Sequence, residues 1–389
     1  MSDNVMGGEL PLPLPSLSIS GFRGFTSLSI PQLGRVTLLT GLNGVGKTTV
    51  LDAIRIYATA THDTPWPLAA LLAERLRQQD EWRDGLDEDG DKVLVADYTG
   101  LFHGRSFPPG QPISIGLKND ENNVQLDVYR AGSLSKEEEE KLILSLSRIE
   151  DTDIPPLLVT FKQHPKYLLP WINSRAYISL ARRKRFFGMV DDDNKQSPER
   201  LNCVSIGPNL PNNEALVEFI DKVALTEEDH KPKEALELIL DDEIYGIAVI
   251  GRDERSRSRV MVKLSEQEPR APLKSLGDGV TRFFGIAAAL VKSRNGILLI
   301  DEVENGIHYS VHEKLWKMIL EAAHKYNIQV VATTHSRDTV VGFADAVDNL
   351  GMEESSVIVR IERHGKQFQA VKYTGDRIKT VSEYDIEVR

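Results

Sequence analysis

The stretch that most constrains this chain is Gly41-Leu42-Asn43-Gly44-Val45-Gly46-Lys47-Thr48, a full match to G-x-x-x-x-G-K-[ST]. The apolar run Val36-Thr37-Leu38-Leu39-Thr40 precedes it, and Thr49-Val50-Leu51-Asp52-Ala53-Ile54-Arg55-Ile56 follows with helical spacing, so a buried strand turns into a helix here. In that setting the motif is a phosphate cradle. Its glycines let backbone N–H groups curl around an anion, and the helix N-terminus adds its positive dipole end. The pattern assigns Gly41 to Thr49 to nucleotide binding, with Lys47 reaching the β/γ-phosphates and the Thr48 hydroxyl binding Mg²⁺.

A partner for this loop lies far downstream. Gly296-Ile297-Leu298-Leu299-Ile300-Asp301-Glu302 is an apolar run ending in two acids, the form of a Walker B strand. Functional groups of an open parallel sheet collect at the strand carboxyl ends, so Asp301 and Lys47 can meet across the sequence. Asp301 is expected to hold the Mg²⁺ that bridges the phosphates, and Glu302 to orient and deprotonate the attacking water. A helix from about Ser310 to Lys325 and the strand Ile328 to Thr334 complete a βαβ unit. That strand ends in His335, which is placed at the same rim to sense the γ-phosphate or hydrogen-bond the water. Leu276-Gly277-Asp278-Gly279 opens another helix and is expected to bind a phosphate, in another subunit. The alternative is a capped loop with Asp278 as N-cap.

Elsewhere the reading is coarser. Leu17 to Ser20 and Leu28 to Ile30 alternate as half-buried strands, and Leu68, Leu71, Leu72 and Leu76 mark one face of a helix over 66–78. Strands are expected at 92–96 and 113–117, and hairpins at 244–264 and 357–373. Ser135-Lys136-Glu137-Glu138 is a capping box before the apolar run Leu142 to Leu146. Residues 134–242 carry no nucleotide motif and are read as a largely helical insertion serving a partner or a regulator; Leu216, Phe219, Ile220 and Val223 give it one amphipathic helix. The nucleotide-binding head is then 17–133 with 243–389, after a mobile tail over 1–16.

Composition narrows the class. A formal charge of −11 argues against a basic surface throughout, leaving Arg182 to Arg185 and the alternating Arg255, Arg257 and Arg259 as local candidates for phosphate contacts. The single cysteine, Cys203, excludes an intramolecular disulfide and suits a reducing cytoplasm. No run approaches the ~20 apolar residues of a membrane span, and Met1 to Ser16, with Pro11, Pro13 and Pro15, is no signal peptide.

In order, Walker A, the glycine loop, Walker B and the His strand resemble the ABC-type ATPase heads of the SMC, RecF and overcoming-lysogeny (OLD) group. Phe22-Arg23-Gly24-Phe25 resembles the entry of those heads, and Asp301-Glu302-Val303-Glu304-Asn305-Gly306-Ile307-His308 with Thr333-Thr334-His335-Ser336 is most similar to the OLD-like branch. The resemblance covers roughly 17–60 and 270–345. It implies an α/β P-loop head with an N-terminal β-layer, binding ATP and Mg²⁺ between two subunits, each site sealed by the partner's signature loop. Gly277 departs from the family pattern, since it stands where a serine hydroxyl usually meets the γ-phosphate. The ~50 residues after Ser336 are too few for the TOPRIM nuclease domain that OLD nucleases carry.

The expected function is a cytoplasmic ATPase, homodimeric or higher, whose ATP-driven association controls a separate effector protein such as a nuclease in anti-phage defence. Two alternatives stand beside it: a RecF-like ATPase clamping double-stranded DNA, and an oligomeric scaffold for which ATP is structural glue.

Overall fold

The computed structural model describes residues 11–86, 91–105, 109–117, 123–130, 133–144, 156–169, 200–251 and 258–383. The chain opens with β1 (Leu17–Phe22), β2 (Phe25–Ile30) and β3 (Val36–Thr40), then α1 (Lys47–Ala60) and α2 (Trp66–Gln78). A small hairpin, β4 (Trp82–Leu86) and β5 (Lys92–Ala96), leads to β6 (Ile113–Gly116) and β7 (Asn123–Val128). Next come α3 (Lys136–Leu144), β8 (Leu157–Phe161), β9 (His164–Leu169) and β10 (Cys203–Ile206). Helices α4 (Asn213–Val223) and α5 (Lys231–Leu240) precede β11 (Gly246–Ile250), β12 (Arg259–Lys263) and β13 (Ala271–Pro272). The remainder is α6 (Asp278–Lys292), β14 (Ile297–Ile300), α7 (His312–Lys325), β15 (Gln329–Thr333), α8 (Arg337–Leu350), β16 (Ser356–His364), β17 (Gln367–Tyr373) and α9 (Asp376–Glu383).

Two six-stranded sheets organise the molecule. The first is antiparallel, in the order β2-β1-β6-β7-β8-β9, and its strands show the alternation of a half-covered sheet: Leu17, Ile19 and Phe22 are buried while Ser18 and Ser20 are less so. The second runs β10-β14-β15-β3-β16-β17 and is parallel except for its last strand. Every residue of β3, β14 and β15 is buried, as expected for strands covered on both faces. One face, with Leu39, Ile297, Leu299 and Val331, packs with α1, α2 and the antiparallel sheet. The other, with Leu38, Leu298, Ile300 and Val330, packs with α6, α7 and α8. A third cluster joins α4, α5 and the β11–β12 hairpin to the far side of α6 through Phe219, Leu236, Val262 and Phe284. The result is an α/β P-loop head with an antiparallel layer at one side, as the ABC-type reading required.

Helix α2 and the hairpins β11–β12 and β16–β17 lie where the sequence placed them, and Ser135 caps α3 with Glu138 returning the bond to Ser135 N at 3.0 Å. Three expectations change. Of the supposed mobile tail 1–16, residues 1–10 lie outside the described residues, yet Leu14 is fully buried and exchanges two hydrogen bonds with the Gln329 side chain (2.9 and 2.7 Å). The buried amide of Gln329 needs partners, and the backbone of Leu14 supplies them. The stretch 134–242 is not set apart in its described part: β8 and β9 extend the antiparallel sheet, and β10 borders the parallel sheet, Cys203 to Ile206 pairing with Ile297 to Ile300. Finally, Gly277 is the N-cap of α6, and Asp278 is its first helical residue.

Candidate functional site

The glycine loop adopts the backbone its sequence demands. Gly41 and Gly46 have φ of +135° and +103°, which side chains rarely tolerate. A Cβ at Gly41 would lie 2.5 Å from the Ile361 carbonyl oxygen, and one at Gly46 would lie 2.5 Å from Cζ of Phe25. The loop is therefore pressed between β16 and the antiparallel layer. Gly46 caps α1 without any side-chain hydrogen bond, so the first amides of this 14-residue helix remain for an anion. Lys47 Nζ folds back onto the carbonyls of Gly41 (2.7 Å) and Leu42 (3.2 Å). Burial pushes its ammonium below the ordinary value, against the opposing pull of Glu304, Asp301 and Glu302. A cation held among backbone carbonyls and carboxylates is poised to exchange them for phosphate.

The parallel pairing of β3, β15 and β14 brings the distant acids to this loop. Thr48 Oγ1 donates to Asp301, lying 3.0 and 3.2 Å from the two carboxylate oxygens although 253 residues separate the pair. Thr333 Oγ1, at the end of β15, donates to Asp301 Oδ1 (2.7 Å) and accepts from Glu302 N (2.8 Å). Glu302 itself sits at φ +48°, a left-handed backbone that costs on the order of 1–3 kcal/mol for a residue of its kind and is held by that bond. One residue beyond β15, Thr334 Oγ1 and His335 N donate to Glu304 Oε1 (2.8 and 3.0 Å), and His335 Nδ1 stands 3.3 Å from the same oxygen.

These groups fit Mg²⁺. Among the described residues no three His, Cys, Asp or Glu side chains cluster as a metal cage. A hydroxyl beside one carboxylate is instead the oxygen pair a magnesium ion takes when phosphates and waters fill its other positions.

Some of the site could not be found from motifs. Arg282 of α6 is fully buried; its guanidinium donates to the carbonyls of Asp301 (2.7 Å), Glu302 (3.1 Å) and Asn209 (3.2 Å), and also to Gly207. Burial lowers its pKa, opposed by the nearby Asp301, Glu304 and Glu302. This side chain fixes the Walker B turn to the helix that begins at Gly277. The signal in the sequence was an arginine inside a helix apolar nearly all round, where a charge must be paired. Phe25 and Thr333 stand in the stretches that carry the family resemblance, but their contacts with Gly46 and Asp301 had no signal of their own.

The loop 276–279 packs on the segment that follows β14. It rests on the turn after Walker B, where a Cβ on Gly279 would meet the Gly306 carbonyl oxygen at 2.6 Å. Gly277, at φ +110°, presents backbone and no hydroxyl. Of the arginines read as phosphate contacts, only Arg259 falls within the described residues, exposed on β12. No helix among the described residues is long and apolar enough to cross a membrane.

An ATP/GTP phosphatase of Helicobacter pylori (strain ATCC 700392 / 26695) is 30% identical over 88 residues, 22% of this chain; the match spans only about a quarter (24%) of that protein's length. Solved structures include an Smc head bound to the C-winged helix domain of ScpA, at 12% identity and a TM-score of 0.47, covering 95% of this chain and 100% of that one. The SMC head domain from Thermotoga maritima matches at 13% identity and a TM-score of 0.41, covering 93% and 99%. A family model described as "AAA domain, putative AbiEii toxin, Type IV TA system" matches residues 36–341, from the P-loop strand past His335. Spanning well over half of the chain, that match shows that the protein belongs to this AAA-domain family of P-loop ATPases.

Proposed function

We propose that the chain hydrolyses ATP with Mg²⁺ and that ATP-driven association of two or more copies controls a separate effector protein. The observation that carries this reading is the meeting of the Thr48 hydroxyl and the Asp301 carboxylate at 3.0 Å, because P-loop NTPases hold Mg²⁺ between the loop hydroxyl and the Walker B aspartate. Bound Mg²⁺ would neutralise charge developing on the phosphates. The chain's own part is then positional. Residues Gly41 to Thr49 bind the phosphates, with Lys47 leaving its carbonyls for them. Glu302, on its strained turn, orients the attacking water and takes its proton; His335 meets the γ-phosphate end.

Association follows from incompleteness. The amides of α6 at Gly277-Asp278-Gly279 form a second anion-binding helix start, which rests on the Gly306 turn. In this reading they close over the nucleotide of a second copy, and Arg282 passes the state of Asp301 and Glu302 to that helix start. The Smc head whose structure holds a ScpA domain illustrates a head of related fold engaging a protein partner. Control of an anti-phage effector is the role we favour for that partner surface.

Steady-state hydrolysis by wild type and Glu302→Gln, with and without double-stranded DNA, tests the proposal. Slow turnover that ignores DNA and vanishes in the variant is expected. Stimulation by DNA, lost in the variant, would transfer the protein to DNA maintenance, and no hydrolysis by either would leave ATP as structural glue.

A further inference from the structure

One buried acid at the rim has no task in the scheme above. Glu304 is 8% exposed, lies three residues beyond Asp301, and is held by a turn in which Ile307 N donates to its carbonyl (2.9 Å). Its two carboxylate oxygens are used unequally. Oε1 accepts from Thr334 Oγ1 and from His335 N, and faces His335 Nδ1 at 3.3 Å. Oε2 is buried with no hydrogen-bond partner among the described residues. Burying a carboxylate so incompletely satisfied costs stability, and a neutral side chain of the same shape would cap the turn as well. The negative charge is therefore kept for something that feels charge.

The Lys47 ammonium and the Arg282 guanidinium feel it through space, and the group in closest reach of the carboxylate is the imidazole. His335 is half exposed, its Nε2 makes no hydrogen bond among the described residues, and Nδ1 lies 3.3 Å from Glu304 Oε1, within ion-pair reach but off hydrogen-bond alignment. A carboxylate beside one ring nitrogen fixes the proton on that nitrogen and leaves the other for chemistry. It is the arrangement in which a third group orients a base.

We propose that Glu304 is a positioning residue for His335, holding the ring with Nδ1–H toward Oε1 so that Nε2 meets the γ-phosphate end of the cleft. This rests on the placement of His335 at the nucleotide proposed above. It assigns the three acids of the 301–304 segment separate tasks: Asp301 for the metal, Glu302 for the water, Glu304 for the histidine. The start of α8, capped by Ser336 accepting from Thr339 N (3.4 Å), adds a positive dipole end beside the carboxylate.

The test compares wild type, Glu304→Gln, Thr334→Val, His335→Asn and the double variant Glu304→Gln/His335→Asn in the full chain. Nitrogen-15 shifts of the histidine rings, with His335 assigned by its loss in His335→Asn, report the tautomer without any nucleotide. Wild type and Thr334→Val are expected to hold the Nδ1–H form, and Glu304→Gln to lose it. In turnover, Glu304→Gln should lower kcat about 10–100-fold with KM for ATP changed less than about twofold, the share of a group that orients another. The double variant should be no slower than His335→Asn alone. Glutamine keeps an acceptor for Thr334 and the His335 amide; if it nonetheless fails to fold, Glu304→Asp withdraws the charge by one methylene and should lose the tautomer too. An unchanged tautomer in Glu304→Gln, or an additive loss in the double variant, would overturn the inference. A His335→Asn protein that hydrolyses ATP at the wild-type rate would instead remove His335 from the mechanism, while the ring shifts would still decide what Glu304 does.

Discussion

The two sheets of this protein are built on opposite rules. The central strands β3, β14 and β15 of the parallel sheet bury every residue, so chemistry is confined to their carboxyl ends. Lys47, Asp301, Glu302 and His335 all stand within a few residues of such an end. The antiparallel sheet alternates, as in Leu157, Val159 and Phe161 of β8, and among the described residues the side chain it brings to the glycine loop is the apolar Phe25 of β2. Its contribution is mechanical: Phe25, stacked edge-on against Phe368 with centroids 4.8 Å apart, forms the wall against which Gly46 is pressed. One sheet presents groups and the other holds their loop in shape.

The contrast can be broken most severely on the parallel side. Lys47→Ala should lower ATP affinity at least ~100-fold, since the phosphates lose their one ammonium partner in a partly buried site; isothermal titration reads it, and the melting temperature without nucleotide should hardly move. Glu302→Gln should keep affinity, lose about 10²–10⁴ in kcat, and accumulate as a dimer or larger species with ATP. Light scattering that found an unchanged monomer would contradict the shared site.

On the antiparallel side the order of effects should invert. Phe25→Ala removes a side chain only 1% exposed and should destabilise by about 3–5 kcal/mol in denaturant unfolding. Its effect on ATP affinity should be the smaller, about tenfold, through a slackened Gly46. Smallest of all, His62 follows α1, where Lys166 Nζ holds the Thr61 carbonyl (2.6 Å). Burial, then the positive Arg200 and Lys166, push its pKa from 6.5 down to about 4. The folded protein keeps His62 neutral while the unfolded chain takes up a proton, so its stabilising effect is complete above pH 6.5 and is lost as pH falls toward 4. His62→Gln should flatten urea stability over that window and leave ATP turnover at pH 7.5 unaltered.

Legibility in the sequence divides along the same line. Buried parallel strands announce themselves as short apolar runs, and their motifs stand at fixed offsets, so β3, β14, β15 and the residues at their ends could be read directly. Strand β10, Cys203-Val204-Ser205-Ile206, could not: it is short, mixed in polarity, and becomes a strand through pairing with β14. Strands β8 and β9 lie in a stretch without motifs, and pairing makes them part of a sheet, β8 with β7 and β9 with β8. Glu304 stands in the stretch similar to the OLD-like branch but shows no task there, because its bond to the His335 amide spans 31 residues and is set by the fold. Gly277 was read as a departure in side chain; what the fold adds is that the helix start there leans on Gly306.

The central claim is that Thr48 and Asp301, 253 residues apart, share one magnesium–nucleotide site. Titration calorimetry of ATP into Glu302→Gln, with Mg²⁺ and with the metal chelated, tests it when repeated in Glu302→Gln/Asp301→Asn. Mg²⁺ should tighten binding at least about tenfold in the first protein, a difference of ~1.4 kcal/mol, and that gain should disappear in the second. The same magnesium dependence in both proteins would show that Asp301 does not hold the ion.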